Sequence, residues 1–311
     1  MPDIRPLPEE LQKIAITELG EVPERIAEDL HVLKAWIRQQ PHLKACIEDL
    51  FLIQFLRGSK YSLEKAKEKL SNFYTLSAKS PHLRSMADVD DPTFRRVHRT
   101  GCLTLLPTPL MEHGPRIIVE QVTFGPNEFT SDEISRYVWT IAEIVMQSDP
   151  YACIQGLVIV MDFSKVTLQH LHLLSPKMLL EVMMFSEKAL PLRIKRVLVL
   201  NCPTFVQTLL NFALSCCSEK FQKRIHVSDG KNIDKFADVF PKKYLPQDFG
   251  GENSSVADIC REFEKVIDEY RNYFKRNSEC GIDERLRLEE SNFNKNTEFG
   301  AGGSFRKINV D

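Results

Sequence analysis

The chain has 311 residues, 43% hydrophobic and 27% charged, with 41 Lys and Arg against 43 Asp and Glu for a formal charge of −2. This balance describes a soluble globular protein of one large or two smaller domains. It disfavours nucleic acid as a partner, because no basic excess exists to neutralise phosphates. The 13 glycines fall into none of the G-x-G-x-x-G, G-x-x-x-x-G-K-S/T or G-x-S-x-G patterns, so dinucleotide, nucleoside-triphosphate and nucleophile-elbow chemistry lack support.

Residues 8–80 read as a small helical bundle. Met1-Pro2-Asp3-Ile4-Arg5-Pro6 carries prolines and charges where a signal peptide needs an unbroken apolar core. Pro23 suits a first helical turn, and Ile26, Leu30, Leu33 and Ile37 recur at helical spacing before Pro41. Ile47, Leu50, Phe51 and Phe55 mark a second helix ending at Gly58. Ser62 is placed to cap a third, whose Leu63, Ala66, Leu70 and Phe73 share a stripe with Lys and Glu opposite.

Beyond Pro92 the pattern changes. Strands predicted over 116–122, 157–163, 197–201 and 224–227 alternate with helices over 130–148, 168–189 and 204–217. Such alternation needs crossover connections, so the sheet is expected to be mostly parallel with helices covering it, an α/β domain over 92–252. The runs Leu157 to Met161 and Val197 to Leu200 are apolar on both faces, as buried parallel strands are. A C-terminal helix over 255–277 opens on Ser255 with Asp258 three residues later, and Ile259, Phe263, Val266, Ile267, Tyr270 and Phe274 form its stripe. Residues 278–311 are expected to form a flexible tail.

Enzyme constellations are thin. Asp162 follows an apolar strand, yet no nucleophile, second carboxylate or Gly-rich turn accompanies it, so it is expected to anchor a loop or cap a helix. His170 and His172 form an H-x-H with no third ligand at metal-site spacing and read as a structural pair, one buried and one exposed. The eight cysteines show no C-x-x-C and read as reduced, mostly buried thiols. No catalytic residue, cofactor or metal is expected.

The apolar content says more. Residues 168–192 are apolar around most of a helix and Met-rich, which suits either central core or the wall of an apolar cavity. The next helix carries Phe205, Leu209, Leu210, Phe212 and Leu214, and Lys220, Lys223 and Arg224 follow it, with Arg193, Lys195 and Arg196 as a second cluster. Either cations hold anionic headgroups while the apolar helix enters a membrane interface, or the helix is buried beside a solvated basic face.

At these residues the sequence resembles the CRAL-TRIO lipid-binding family. Phe55-Leu56-Arg57-Gly58-Ser59-Lys60-Tyr61 followed by Glu64-Lys65-Ala66 is similar to the signature of that family's N-terminal helical region. Val158-Ile159-Val160-Met161-Asp162-Phe163, Leu190-Pro191-Leu192-Arg193-Ile194-Lys195, Leu200-Asn201-Cys202-Pro203-Thr204-Phe205, Lys223-Arg224-Ile225-His226 and Leu245-Pro246-Gln247-Asp248-Phe249-Gly250-Gly251 follow its lipid-binding domain in order.

The resemblance implies a mixed sheet of five strands floored by helices, an enclosed apolar cavity and a mobile lid. It puts the lid over about 203–217, with Phe205, Leu209, Leu210, Phe212 and Leu214 as gate residues. It lines the cavity with Val138, Ala142, Leu157, Met161, Phe185, Leu190 and Leu192, without the small hydroxyl residues of the family's tocopherol carriers. It assigns phosphoinositide headgroups to Arg193, Lys195, Lys220 and Arg224; Ser59 replaces an arginine of the tocopherol carriers, with Lys60 or Lys223 to substitute.

The function implied is a non-enzymatic, monomeric carrier of a small hydrophobic ligand: a tocopherol, retinoid, carotenoid or other lipid. It is expected in the cytoplasm, peripheral at anionic membranes, with phosphoinositides promoting lid opening. The alternative is a phosphoinositide-binding membrane-trafficking adaptor of clavesin type.

Overall fold

Pro8 precedes α1 (Glu9–Ile14), whose helical path continues in a wider turn over Ala15–Leu19 and stops at Gly20 in the left-handed region. The computed structural model describes residues 2–80, 88–228 and 240–287. In α2 (Ile26–Arg38) the expected stripe of Ile26, Leu30, Leu33 and Ile37 is buried. After β1 (Leu43–Lys44) come α3 (Asp49–Gly58) and α4 (Leu63–Lys79). Ser62 stands at the start of α4, but its hydroxyl makes no capping bond. Packing positions this helix instead: the Phe73 ring lies 5.8 Å from Phe51, 5.6 Å from Phe55 and 5.5 Å from Phe185 between centroids. Gly58 ends α3 against the loop after the Met-rich helix, where a Cβ would collide with the Pro191 carbonyl.

The helix α5 (Pro92–Arg99) is capped by Asp91, whose Oδ1 accepts from the Thr93 N–H at 2.7 Å. Then follow β2 (Leu103–Leu105), β3 (Arg116–Gln121), α6 (Ser131–Ser148), α7 (Pro150–Gln155) and β4 (Leu157–Asp162). The single helix expected over 168–189 is two pieces, a short turn over Leu168–Leu173 and α8 (Pro176–Lys188). Ser175 and Pro176 make the break: Pro176 fits the first turn, and Ser175 Oγ accepts from the Met178 N–H at 3.0 Å. The strand expected at Val197 begins earlier, as β5 (Ile194–Leu200), followed by α9 (Thr204–Ser215), α10 (Glu219–Gln222) and β6 (Ile225–Val227).

The sheet has five strands in the order β2-β3-β4-β5-β6, antiparallel only between β2 and β3. Its strands alternate between two apolar faces. Ile117, Val119, Val158 and Val160 pack with Phe240, Tyr244, Leu245 and Ile259, the last from α11 (Val256–Glu269), whose Ser255 Oγ accepts from the Asp258 N–H as expected. Ile118, Ile159, Met161 and Val197 face the opposite side, toward α6, α8 and α9.

Order also continues past Ser278, where a tail was expected. After α12 (Arg271–Arg276), β7 (Gly281–Ile282) pairs antiparallel with β1, and Arg287 Nη2 donates to Thr75 Oγ1 of α4 at 2.8 Å. The rest of that expected tail, 288–311, lies outside the described residues.

Candidate functional site

The second sheet face does not pack shut. Between it and helices α6, α8 and α9 lies a cavity of about 140 Å³, smaller than the roughly 300–1,000 Å³ of pockets that hold drug-sized ligands. Of the expected lining, Val138 and Ala142 from α6, Leu157 and Met161 from β4, and Leu190 line it. Phe185 and Leu192 do not. Phe185 turns toward Phe73 and Trp139, 4.7 Å from the latter between centroids, because the aromatic cluster of α4 offers it a closer-packed site. Leu192 lines the neighbouring groove instead. In α8 only Phe185 is fully buried, so the Met-rich helix is a wall with half-buried faces, not central core.

The helix expected as lid covers one flank of this cavity. Leu210 reaches the lining; Phe205, Leu209 and Leu214 are half-buried outside it, and Phe212 is 52% exposed. Its far end is tied down, since the Ser218 N–H donates to Glu187 Oε2 at 3.3 Å and Ser218 Oγ donates to Glu187 Oε1.

Beside the cavity runs an open groove of about 840 Å³ between the end of α3, α4, the end of α8 and α10. Arg193, Lys220 and Arg224 line it, joined by Lys60, Lys65, Lys69 and Lys188, with Glu68 and Glu187 as the acidic members. Among the described residues, Lys60, Lys65, Arg193, Lys195, Lys220 and Arg224 have no carboxylate within ion-pair distance. Like charges crowd there: burial, then Arg193, pushes the Lys195 amine down, with Lys60 and Arg224 adding to the effect and Glu18 opposing it. Lys195 itself is exposed at the rim and not part of the lining. Lys223 also stays outside, 4.0 Å from Glu219. Of the two lysines expected to substitute for the missing arginine, Lys60 lines the groove beside Ser59. Ser59 is buried, and its Oγ has no hydrogen-bond partner among the described residues.

Three of the groove's cationic side chains double as structural props. Arg224 Nη1 donates to the Ile194 carbonyl at 2.7 Å, and Arg193 Nη2 donates to the Ile154 carbonyl while its Nε has no partner among the described residues. Lys69 donates to the carbonyls of Glu187 at 3.3 Å and Leu190 at 3.0 Å, and its burial pushes the amine down to about 8. The sequence reading missed Lys65, Lys69 and Lys188. The signal was present as the cationic face of α4, four residues apart at Lys65 and Lys69, but it read as solvated. Groove and cavity share Ser186, Ile194 and Phe221 as a common wall.

The other candidates are structural. Asp162 Oδ1 accepts from the Ser164 N–H at 3.0 Å and from Asn201 Nδ2 at 2.8 Å, and Oδ2 accepts from Ser164 Oγ at 2.9 Å, so it ties two loops together. His170 is buried, its Nδ1 accepting from the Thr167 N–H at 3.1 Å and its Nε2 lying 3.3 Å from the Phe124 carbonyl; His172 is exposed. The eight cysteines are free thiols, and burial pushes Cys46, Cys102 and Cys153 up to about 12, where thiolate chemistry is suppressed. No helix among the described residues is long and apolar enough to cross a membrane.

Residues 111–251 match the CRAL/TRIO domain model, and residues 22–94 match that of the Pinta-like UBA domain. Alpha-tocopherol transfer protein-like of Homo sapiens is 25% identical over 246 residues, 79% of this chain and 71% of that protein. Clavesin-2 of Homo sapiens is 24% identical over 246 residues, 78% of this chain and 74% of that protein. The crystal structure of Sfh5 aligns at a TM-score of 0.46 and 12% identity, covering 86% of this chain and 100% of that one. All of the cavity lining but Leu103, and the groove residues from Ser186 to Arg224, fall within the segment that matches the CRAL/TRIO domain, whereas Gly58 to Asn72 of the groove come from outside it. By that domain match this chain belongs to the CRAL/TRIO family.

Proposed function

We propose that this chain is a non-enzymatic, cytoplasmic carrier that binds a small hydrophobic ligand in the cavity and exchanges it at membranes. The observation that carries this reading is the common wall. Phe221 faces both spaces, and it sits between Lys220 and Arg224, which line the groove. An anionic headgroup drawn to those cations pulls on α10 and on the Ser218 tie, and so favours departure of α9 from the cavity. Phosphoinositides, with several phosphates, match a groove of this size and charge, held by Arg193, Lys195, Lys220 and Arg224. Ligand burial contributes about 25 cal/mol per Å² of apolar surface, and no covalent step is needed.

The cavity's volume bears on the mechanism. A tocopherol, retinoid or carotenoid requires the space to expand, and Val182, Met183 and Leu210, on α8 and α9, are among the walls that stand outside the sheet. The thioether of Met183 adapts to such repacking at low cost. One relative, alpha-tocopherol transfer protein-like, is a transfer protein by name.

Native mass spectrometry of the purified chain, followed by transfer assays between vesicles with and without phosphatidylinositol bisphosphate, tests it. A stoichiometric hydrophobe and faster transfer to the phosphoinositide vesicles are expected. Stable vesicle binding with no cavity ligand and no transfer would instead support the trafficking-adaptor reading.

A further inference from the structure

The cavity lining, which also includes the Ser186 hydroxyl side chain, contains one carboxyl group. Glu120 lies near the end of β3, on the same face as Ile118, and lines the cavity together with Leu103, Met161 and Val138. Strand alternation puts it there: Ile117 and Val119 fill the opposite core, so Ile118 and Glu120 face the cavity. The β3–β4 register sets Glu120 beside Met161, and the β2–β3 register sets it beside Leu103. Among the described residues, Glu120 makes no side-chain hydrogen bond and no ion pair. Burial alone pushes its carboxyl up to about 7. The titratable group nearby is the Cys102 thiol, and the lining contains no cation.

We propose that Glu120 is the polar anchor of the cavity and that the ligand is a hydrophobe bearing a hydroxyl group, not a bare hydrocarbon and not a fatty-acid anion. This rests on the carrier reading above. A hydroxyl both donates and accepts, so it satisfies the carboxyl in either protonation state. A hydrocarbon leaves the half-buried carboxyl facing apolar surface without a partner, and a carboxylate ligand meets a second carboxyl with no cation in the lining to offset the repulsion. One such hydrogen bond to a group otherwise unsatisfied corresponds to about tenfold in affinity or more.

The test exposes the full chain to a total lipid extract of cultured animal cells, re-isolates it and identifies the retained lipid by mass spectrometry, for wild type, E120L and E120Q. Circular dichroism melting verifies that each variant is folded. A retained lipid with a free hydroxyl is expected, with retention about tenfold lower in E120L and largely preserved in E120Q, whose amide also donates and accepts. E120Q keeps the assignment testable if E120L fails to fold. A retained lipid without a hydroxyl, or equal retention in folded E120L, overturns the inference and leaves the carrier intact. Retention of nothing by the wild type overturns the carrier reading and this inference with it.

Discussion

Arg57 and Glu21 meet inside the helical region, Arg57 Nε donating to Glu21 Oε2 at 2.8 Å and Nη2 to Oε1 at 3.3 Å, with both side chains out of solvent. Tyr61 Oη adds a bond to Oε2 at 2.7 Å and Gln12 Nε2 one to Oε1 at 3.0 Å. The pair fixes the segment from Arg57 to Tyr61 that brings Ser59 and Lys60 to the groove, where Lys60 and Tyr61 hold left-handed backbone. Glu21→Gln leaves the guanidinium buried without a counter-charge, and a loss of about 3–5 kcal/mol is expected, read as a lower urea midpoint. Burial raises the Glu21 carboxyl, but Arg57, Tyr61 and Gln12 outweigh it and hold it below the ordinary 4.5. A lowered folded-state value means that the stabilisation is complete above 4.5 and fades as pH falls through the folded value. The wild type should therefore lose stability in acid more steeply than Glu21→Gln.

Reversing charge in the groove should weaken membrane engagement without emptying the cavity. Basic residues near an anionic surface contribute about 1 kcal/mol each. Lys220→Glu combined with Lys65→Glu should lower binding to phosphoinositide vesicles by tenfold or more, with ligand content unchanged. Among the described residues neither lysine donates a hydrogen bond to the fold, unlike Arg224, whose bond to Ile194 would confound the result. Unchanged vesicle binding, measured by sedimentation at low salt, would rule out the groove as the headgroup site.

Legibility followed the range of the interactions. The strand β4 was readable because Leu157 to Met161 is apolar on both faces, short and β-branched, as a covered parallel strand is. The early start of β5 was not, since Lys195 and Arg196 interrupt its apolar run at a register irregularity beside Leu157 and Val158. Arg193, Lys220 and Arg224 announced the groove as local clusters. Lys69 did not, because its partners are carbonyls more than a hundred positions away at the end of α8. Phe185 was misplaced for the same reason: the rings that claim it, Phe73 and Trp139, come from two other helices. Nothing in the sequence sets Glu120 apart from any strand-end carboxylate, and only the sheet's packing reveals that it faces a cavity.

Phe212 is the large apolar side chain that α9 leaves most open, at 52% exposure. An exposed phenylalanine on a helix flanking a cavity suits insertion into a lipid interface. Phe212→Asp should change stability by less than about 0.5 kcal/mol, as a surface substitution does. It should reduce partitioning to neutral vesicles several-fold, since burying the ring contributes about 1.5–3 kcal/mol when complete. Because the groove acts through charge, this loss should persist at high salt. Salt-insensitive loss in Phe212→Asp and salt-sensitive loss in the lysine variants would separate the two contributions.

The tie between Glu187 and Ser218 joins the end of α8 to the segment that leaves α9. The same end of α8 is anchored to α4 through Lys69 and through Asn72 Nδ2, which donates to the Lys188 carbonyl at 3.3 Å. One face of the tie is therefore fixed, and breaking it frees the lid side. Glu187→Ala removes the acceptor for both Ser218 donors, each of which remains able to bond water. The loss of a charge-assisted pair at a partly exposed site corresponds to about 1–2 kcal/mol, or roughly a five- to thirtyfold faster release of bound hydrophobe if the tie is intact in the closed state only. Ser218→Ala should accelerate release by a smaller factor, since its N–H still donates to Glu187 Oε2, although it also removes the cap that accepts from the Phe221 N–H at 3.2 Å. The double variant discriminates between a latch and two unrelated weaknesses. Residues that act through one shared contact are non-additive, so Glu187→Ala in the Ser218→Ala background, where only the Ser218 N–H bond to Glu187 is left to lose, should accelerate release by clearly less than it does in the wild type. Full additivity would mean that Glu187 shapes the groove without restraining α9.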